Sequence, residues 1–199
     1  MGTSTILDIM GSFIIGGIIL LMLQRTMAAS NESLYVNCSD LITQLNLVEL
    51  VSLLEYDFEK IGYCENWKNM PAPTASILNA DTSSIKFLTD VDRDGDMDEL
   101  RYYLGDPAEL SVTPNPNDRM LYRVVNNETP YSANLGVTEF RIVYYSPLGD
   151  TLPSPVANCT QIASMELNLR VENTSGYDNQ YKFSIWRQFK LASKNLRNR

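Results

Sequence analysis

The sequence predicts an α+β protein in which one long N-terminal helix packs on a mostly antiparallel β-sheet. No proline occurs before Pro71 and no glycine lies between Gly17 and Gly62, so neither of the two residues that most weaken a helix interrupts this stretch. After Pro71, short runs rich in β-branched and aromatic residues alternate with clusters of Gly, Pro, Asn and Asp. Such runs are typical of strands and turns. A helix followed by strands favours the α+β class.

Composition restricts the function. The chain has 199 residues, of which 44% are hydrophobic and 20% charged, as in ordinary folded proteins. Sixteen basic and twenty-four acidic residues give a net charge of −8, which argues against a nucleic-acid partner. The absence of histidine removes the commonest general base and the Ser-His and Cys-His pairs. We therefore expect no enzyme and find no evident small-molecule substrate.

The first half of the helix is apolar enough to enter a membrane. Residues 9–23 carry no charge, and Ile6 and Leu7 extend the run across Asp8 to 18 residues, near the lower limit for a membrane span. A cleaved signal peptide is the alternative, although no basic region precedes the apolar run. We expect residues 1–30 to form a single-pass membrane or assembly helix. Residues 31–199 would then form the rest of the helix and a periplasmic or extracellular head.

Asp8 is the one charged residue inside the apolar run. A carboxylate at the centre of a membrane helix costs roughly 2.5–3.5 kcal/mol on insertion scales. Asp8 therefore lies at headgroup depth, or it has a partner such as the α-amino group of a neighbouring chain.

The second half of the helix carries two apolar stripes at helical spacing. One consists of Leu47, Leu50, Val51, Leu54, Phe58 and Ile61, and the other, just before it, of Leu34, Cys38, Leu41, Leu45 and Val48. They predict an amphipathic helix that extends to about residue 61, with its upper part against the head. The strands that we predict after it cover residues 84–88, 100–104, 120–125, 137–145, 165–171 and 180–191.

An acidic loop lies between the first two predicted strands. Asp90, Asp92, Asp94, Gly95 and Asp98 spell D-x-D-x-D-G-x-x-D. In calcium loops, positions 1, 3 and 5 supply carboxylates, glycine at position 6 allows a sharp turn and position 7 supplies a backbone carbonyl; position 7 is Asp96. Position 12 is Arg101 rather than the glutamate of an EF-hand, so we predict a strand–loop–strand calcium site. A hairpin turn rich in Asp and Gly is the alternative.

Three cysteines allow one geometric argument. A continuous helix would separate Cys38 from Cys64 by roughly 35 Å, whereas a disulfide needs Cα atoms within about 7 Å. Cys64–Cys159 is therefore the favoured disulfide, and three free thiols are the alternative. A disulfide and a calcium loop both suit a compartment outside the cytoplasm.

Four stretches in this order resemble the type IV pilin-like proteins. They are LLEYDFEKIGY (53–63), IKFLTDVDRDGDMDELRYYL (85–104), NLGVTEFRIVYY (134–145) and KNLRN (194–198). More narrowly, the chain is similar to the larger minor pseudopilins, of the pseudopilin J and minor pilin W kind. Counted from Ser4, Asp8 takes the place of the embedded glutamate of that family, whereas Thr3 stands where the family has a glycine.

The resemblance implies a pilin-like fold and a non-enzymatic subunit of a type II secretion or type IV pilus machine. Its partners would be other pilin-like subunits, bound through an N-terminal helix that contains Asp8, Phe13, Gly16 and Gly17, together with membrane lipid. A stand-alone, signal-anchored surface adhesin or ligand-binding protein is the alternative from another functional class.

Overall fold

A computed structural model describes residues 2–176 and 181–191 of the chain. It has one long helix, α1 (Gly2–Glu59), followed by eight strands in the described residues. The strands are β1 (Ile77–Ala80), β2 (Ser84–Thr89), β3 (Asp98–Leu104), β4 (Arg119–Val125), β5 (Tyr131–Tyr145), β6 (Thr151–Leu152), β7 (Ser164–Glu172) and β8 (Phe183–Leu191). The predicted α+β class with a long N-terminal helix is confirmed. Residue 180 of the last predicted strand and the KNLRN stretch lie outside the described residues.

The strands form one antiparallel sheet in the order β1-β2-β3-β4-β5-β7-β8, and β6 pairs with the end of β5. Every strand pair is antiparallel. Most neighbours in the sheet are also neighbours in sequence. The hairpin between β2 and β3 pairs Thr89 with Asp98, which places the acidic loop at one end of the sheet.

The chain contains two compact units, Met1–Leu41 and Ile42–Arg199. In the second unit, Leu50, Leu54, Phe58 and Ile61 are buried in one hydrophobic core with the sheet. The ring of Phe58 lies 5.4 Å from that of Phe87, edge to face. Full burial of such a side chain contributes about 1.5–3 kcal/mol, so this stripe fixes helix residues 42–59 on the sheet.

The other predicted stripe is exposed. Leu34, Leu41, Leu45 and Val48 are each about 60% exposed, and Cys38 is exposed too. The upper part of α1 thus buries one stripe and leaves the other open. Spacing alone does not distinguish the two, because both satisfy the helical period.

An ion pair joins the helix to the middle of the sheet. Asp57 is buried, and it accepts hydrogen bonds from Arg123 Nε at 2.7 Å and Tyr102 Oη at 2.5 Å. Burial, followed by the nearby Asp57 carboxylate, raises the pKa of Tyr102, so the phenol stays neutral and donates. Since a buried charge is tolerated only when it is paired and hydrogen-bonded, the pair fixes the register of α1 on β3 and β4.

Gly62 marks the point where the chain leaves the helix direction. Its φ of 72° belongs to the left-handed region that commonly follows a helix and favours glycine. Its N–H donates to the Leu88 carbonyl at 2.7 Å, and this contact directs residues 62–70 toward the acidic loop.

Candidate metal centre

The acidic loop, residues 90–98, brings three of its aspartates together. Asp90, Asp92 and Asp98 each offer a carboxylate oxygen, and these oxygens lie within 4.8 Å of one another. Calcium binds oxygen at 2.3–2.6 Å, so two ligand oxygens on one ion lie at most about 5.2 Å apart. The spacing of the three carboxylates is therefore compatible with a single calcium ion.

Asp90 is the buried member of this trio, and the backbone surrounds it with donors. Its Oδ1 accepts the Arg93 N–H at 2.6 Å, and its Oδ2 accepts the N–H groups of Glu65 at 3.0 Å and Gly95 at 3.2 Å. Burial alone would raise the pKa of Asp90, but the backbone N–H groups together lower it. Asp90 is therefore ionised at neutral pH and places a buried negative charge at the base of the loop.

Asp98 and Asp92 have different surroundings. Asp98 accepts hydrogen bonds from Asn126 Nδ2 at 2.7 Å and the Val91 N–H at 3.0 Å, so the turn between β4 and β5 fixes its side chain. Asp92 is exposed and accepts only the Asp94 N–H, at 3.2 Å, among the hydrogen bonds described for it. Asp92 is thus the solvent-exposed member of the trio.

The side chains of the other two predicted metal residues, Asp94 and Asp96, lie outside the trio. Asp94 Oδ1 accepts the Asp96 N–H at 2.8 Å. Asp96 Oδ1 accepts Asn69 Nδ2 at 3.3 Å. Asp94 and Asp96 thus use their side chains within and beside the loop, and the expected ligand of Asp96 is its backbone carbonyl.

The segment that follows α1 holds the loop in place. The carbonyl of Gly95 accepts Asn69 Nδ2 at 2.8 Å and the Cys64 thiol at 3.3 Å, and the Asp90 N–H donates to the Tyr63 carbonyl at 2.9 Å. Gly95 itself has a φ of 90°, and an added Cβ would lie 3.2 Å from Asn66 Cβ. Glycine at position 6 is thus required by conformation, as the motif predicts.

Sequence reasoning missed Asn69 and Asn126, which position the loop from outside the motif. In the sequence, each lies more than 20 residues away from the aspartate that it contacts. Neither spacing nor residue type gives a signal in an asparagine-rich chain, because these contacts arise only from the tertiary fold.

The predicted Cys64–Cys159 disulfide is not formed, and all three cysteines are free. The thiols lie against different backbone carbonyls: Cys64 donates to Gly95, and Cys159 Sγ lies 3.9 Å from the Val156 oxygen. Burial, and then the charge of Asp90, raises the pKa of Cys64. Cys64 therefore stays a neutral thiol beside the acidic loop.

The residues expected to take part in assembly lie on α1. Asp8, Phe13, Gly16 and Gly17 line one shallow groove along the helix, and Phe13 is 77% exposed. A Cβ added at either glycine would meet no atom within 4 Å. The helix is long and apolar enough to cross a membrane, and none of that apolar stretch is buried.

No protein-family model, no curated protein and no solved structure matches this chain. The layout is nevertheless pilin-like at a coarse level, because a long, apolar N-terminal helix is joined to an antiparallel sheet.

Proposed function

We propose that this chain is a non-enzymatic, minor pilin- or pseudopilin-like subunit of a type II secretion or type IV pilus machine. In this proposal the first part of α1 lies in the membrane and binds other pilin-like subunits. The β-sheet forms a periplasmic or extracellular head, and calcium bound at Asp90, Asp92 and Asp98 stabilises it.

The observation that carries the proposal is the unbroken helix α1, which begins in an exposed apolar stretch and ends in the core of a β-sheet head. A plain anchor needs only the apolar stretch. A helix that also forms part of the head fixes the position of that head whenever it contacts the helix of a neighbouring subunit. This arrangement suits a subunit of a filament.

Asp8 adds a chemical reason for assembly. Among the described residues, no hydrogen bond or ion pair to its carboxylate is found, while the Ser12 hydroxyl donates to its backbone carbonyl at 2.8 Å. A charge within an apolar helix is stabilised by a partner of opposite charge. A cationic group from a neighbouring subunit would supply one.

Photo-cross-linking in the native host tests the proposal. A photo-reactive amino acid at Phe13 should form adducts with the N-terminal helices of other pilin-like chains, identified by mass spectrometry. The Asp8→Asn variant should lose these adducts and Asp8→Glu should keep them. The same probe at Leu148, which is 90% exposed on the head, is the control and should not join N-terminal helices.

Adducts to lipid alone would contradict the proposal. They would favour the alternative of a stand-alone, signal-anchored surface protein whose head binds a ligand.

A further inference from the structure

A second carboxylate centre lies where β4, β5 and β7 run side by side. Arg119 at the start of β4 pairs with Val137, which pairs in turn with Val171 of β7. This register brings Asp118, which precedes β4, to the same end of the sheet as Glu172, which ends β7. Residues 113–117 fold beside it, with the Asp118 N–H donating to the Asn115 carbonyl at 3.3 Å.

Asp118 is buried and unsatisfied. Its side chain is among the least accessible in the protein, with the residue 1% exposed, and neither carboxylate oxygen accepts a hydrogen bond in the part of the chain that the structure describes. The side chains of Thr113 and Asn134 and the N–H of Arg119 are close enough to influence its pKa, but not in hydrogen-bonding geometry. A buried carboxylate without partners is strongly unfavourable.

The neighbouring acid, Glu172, has a partner for each carboxylate oxygen. Glu172 is also buried, but its Oε1 pairs with Arg170 Nη2 at 2.8 Å and its Oε2 accepts Asn115 Nδ2 at 3.0 Å. Arg170 therefore pairs with Glu172. Asp118 has no such partner among the described residues, and burial, with the nearby charge of Glu172 as a smaller cause, raises its pKa.

We propose that Asp118 anchors a second cation site, separate from the acidic loop and independent of the assembly function. Carboxylate, hydroxyl and amide oxygens are the donors that hard cations such as Na⁺ and Ca²⁺ prefer. Asp118 offers a carboxylate and Thr113 a hydroxyl oxygen, whose proton is donated to the Leu110 carbonyl at 2.8 Å. The Asn134 side-chain amide lies beside them, although its Oδ1 also accepts the Gly136 N–H at 3.2 Å. Asn134 is exposed, so the ion reaches the site from the surface of the head.

Cation binding to the full-length protein in detergent micelles tests the site. The buffer contains choline chloride and no metal, and Na⁺ or Ca²⁺ is added in separate titrations while bound ions are counted by equilibrium dialysis with radioactive tracers. Asp118→Asn, which keeps the shape and removes the charge, should bind one ion fewer than the wild type. Asp92→Asn removes a carboxylate of the acidic loop only and should keep the ion at Asp118. The double variant should bind neither.

The two titrations identify the ion. If Asp118→Asn binds one ion fewer in the Na⁺ titration, the site takes a monovalent cation. If the difference is found only in the Ca²⁺ titration, the site takes a divalent cation. An unchanged count in Asp118→Asn would overturn the proposal at any melting temperature, because a carboxyl that is protonated and binds no cation gives that result.

A second variant keeps the test decisive if Asp118→Asn fails to fold. Asn134→Asp adds a carboxylate at the exposed side of the site, so the half-saturating cation concentration should fall several-fold. If that concentration stays the same or rises, no cation binds at Asp118.

Discussion

At the scale of single residues, Asp90 and Asp92 show how two identical side chains of one loop differ in role. Asp90 is buried under three backbone N–H groups, whereas Asp92 is exposed. Removing an acceptor from buried donors costs about 1–3 kcal/mol. Asp90 therefore supports the fold of the loop even without metal, whereas Asp92 accepts one exposed N–H and, in our proposal, serves chiefly to bind the ion.

The pair gives a matched prediction. In the presence of a chelator, Asp90→Asn should lower the free energy of unfolding of the head by about 1–3 kcal/mol, while Asp92→Asn should leave it unchanged. Calcium should raise the melting temperature of the wild type and raise it much less in both variants. Thermal unfolding followed by circular dichroism, with and without calcium, measures both effects. A wild-type melt that is identical in calcium and in chelator would contradict a calcium site in this loop.

The motif predicted the loop and its glycine turn, and it predicted Asp90, Asp92 and Asp98 among five aspartates that would hold the ion. It could not predict that the Asp94 and Asp96 side chains are engaged elsewhere. Asp94 accepts the backbone N–H two residues on, a local contact that aspartate favours, whereas Asp96 accepts the Asn69 side chain from outside the loop. Spacing alone does not decide between such contacts and metal binding.

At the scale of elements, the bulge in β5 is the feature most sensitive to sequence. Leu121 pairs with Ala133 and Arg119 with Val137, so residues 134–136 face residue 120 alone. Gly136 has a φ of 75°, and a Cβ there would lie 2.1 Å from the Glu172 carbonyl oxygen. The bulge therefore needs glycine for two reasons, backbone conformation and the close approach of β7.

Gly149 provides the control for this prediction. It has a φ of 90° but no atom within 4 Å of an added Cβ, so Gly149→Ala should cost only the backbone strain, about 1–2 kcal/mol. Gly136→Ala should cost clearly more, because the clash with Glu172 must also be relieved. Urea unfolding of the two variants compares the costs. Equal losses would mean that β7 moves aside freely at this point.

The long elements were predicted from sequence, while the short ones were not. The helix and six strands followed from periodicity and turn residues. β1 and β6, with four and two residues, are too short to show a period. Which helix stripe is buried also depends on the pairing of Asp57 with Arg123, a contact that no local pattern contains.

At the scale of the whole molecule, buried carboxylates at separate places in the sheet link stability to pH. Asp90 lies at the end of β2, and Glu166 in β7 accepts hydrogen bonds from Arg187 Nε at 2.7 Å and Tyr145 Oη at 2.9 Å. Burial alone would raise the pKa of Glu166, but hydrogen bonds from Asn168, Tyr145 and Arg187 lower it. Both acids therefore have a lower pKa in the folded state than in the unfolded state.

This direction predicts acid sensitivity. A lowered folded-state pKa contributes stability that is present above the unfolded value, near pH 4, and is lost as the pH falls below it. Urea unfolding in chelator should give a constant free energy of unfolding from pH 7 to about 5 and a fall below that. Glu166→Gln should be less stable at pH 7 and show a smaller fall. A fall of equal size in that variant would assign the acid sensitivity to other carboxylates.

The fold class followed from the sequence because the order of a long helix and many strands is encoded in local patterns. The Asp118 centre did not, since Asp118 and Glu172 come together only through the pairing of β4 with β5 and of β5 with β7.

Because Cys64 contacts Gly95, the reactivity of its thiol measures how often the acidic loop opens. The Cys64 thiol is 2% exposed beneath the acidic loop, so a thiol reagent reaches it only when the loop opens, while the exposed Cys38 reacts at once and serves as an internal reference. The ratio of the two labelling rates would then measure the opening of this one loop in the intact protein. An ion that binds in the loop would slow the labelling of Cys64 alone, and an ion at Asp118 would leave it unchanged.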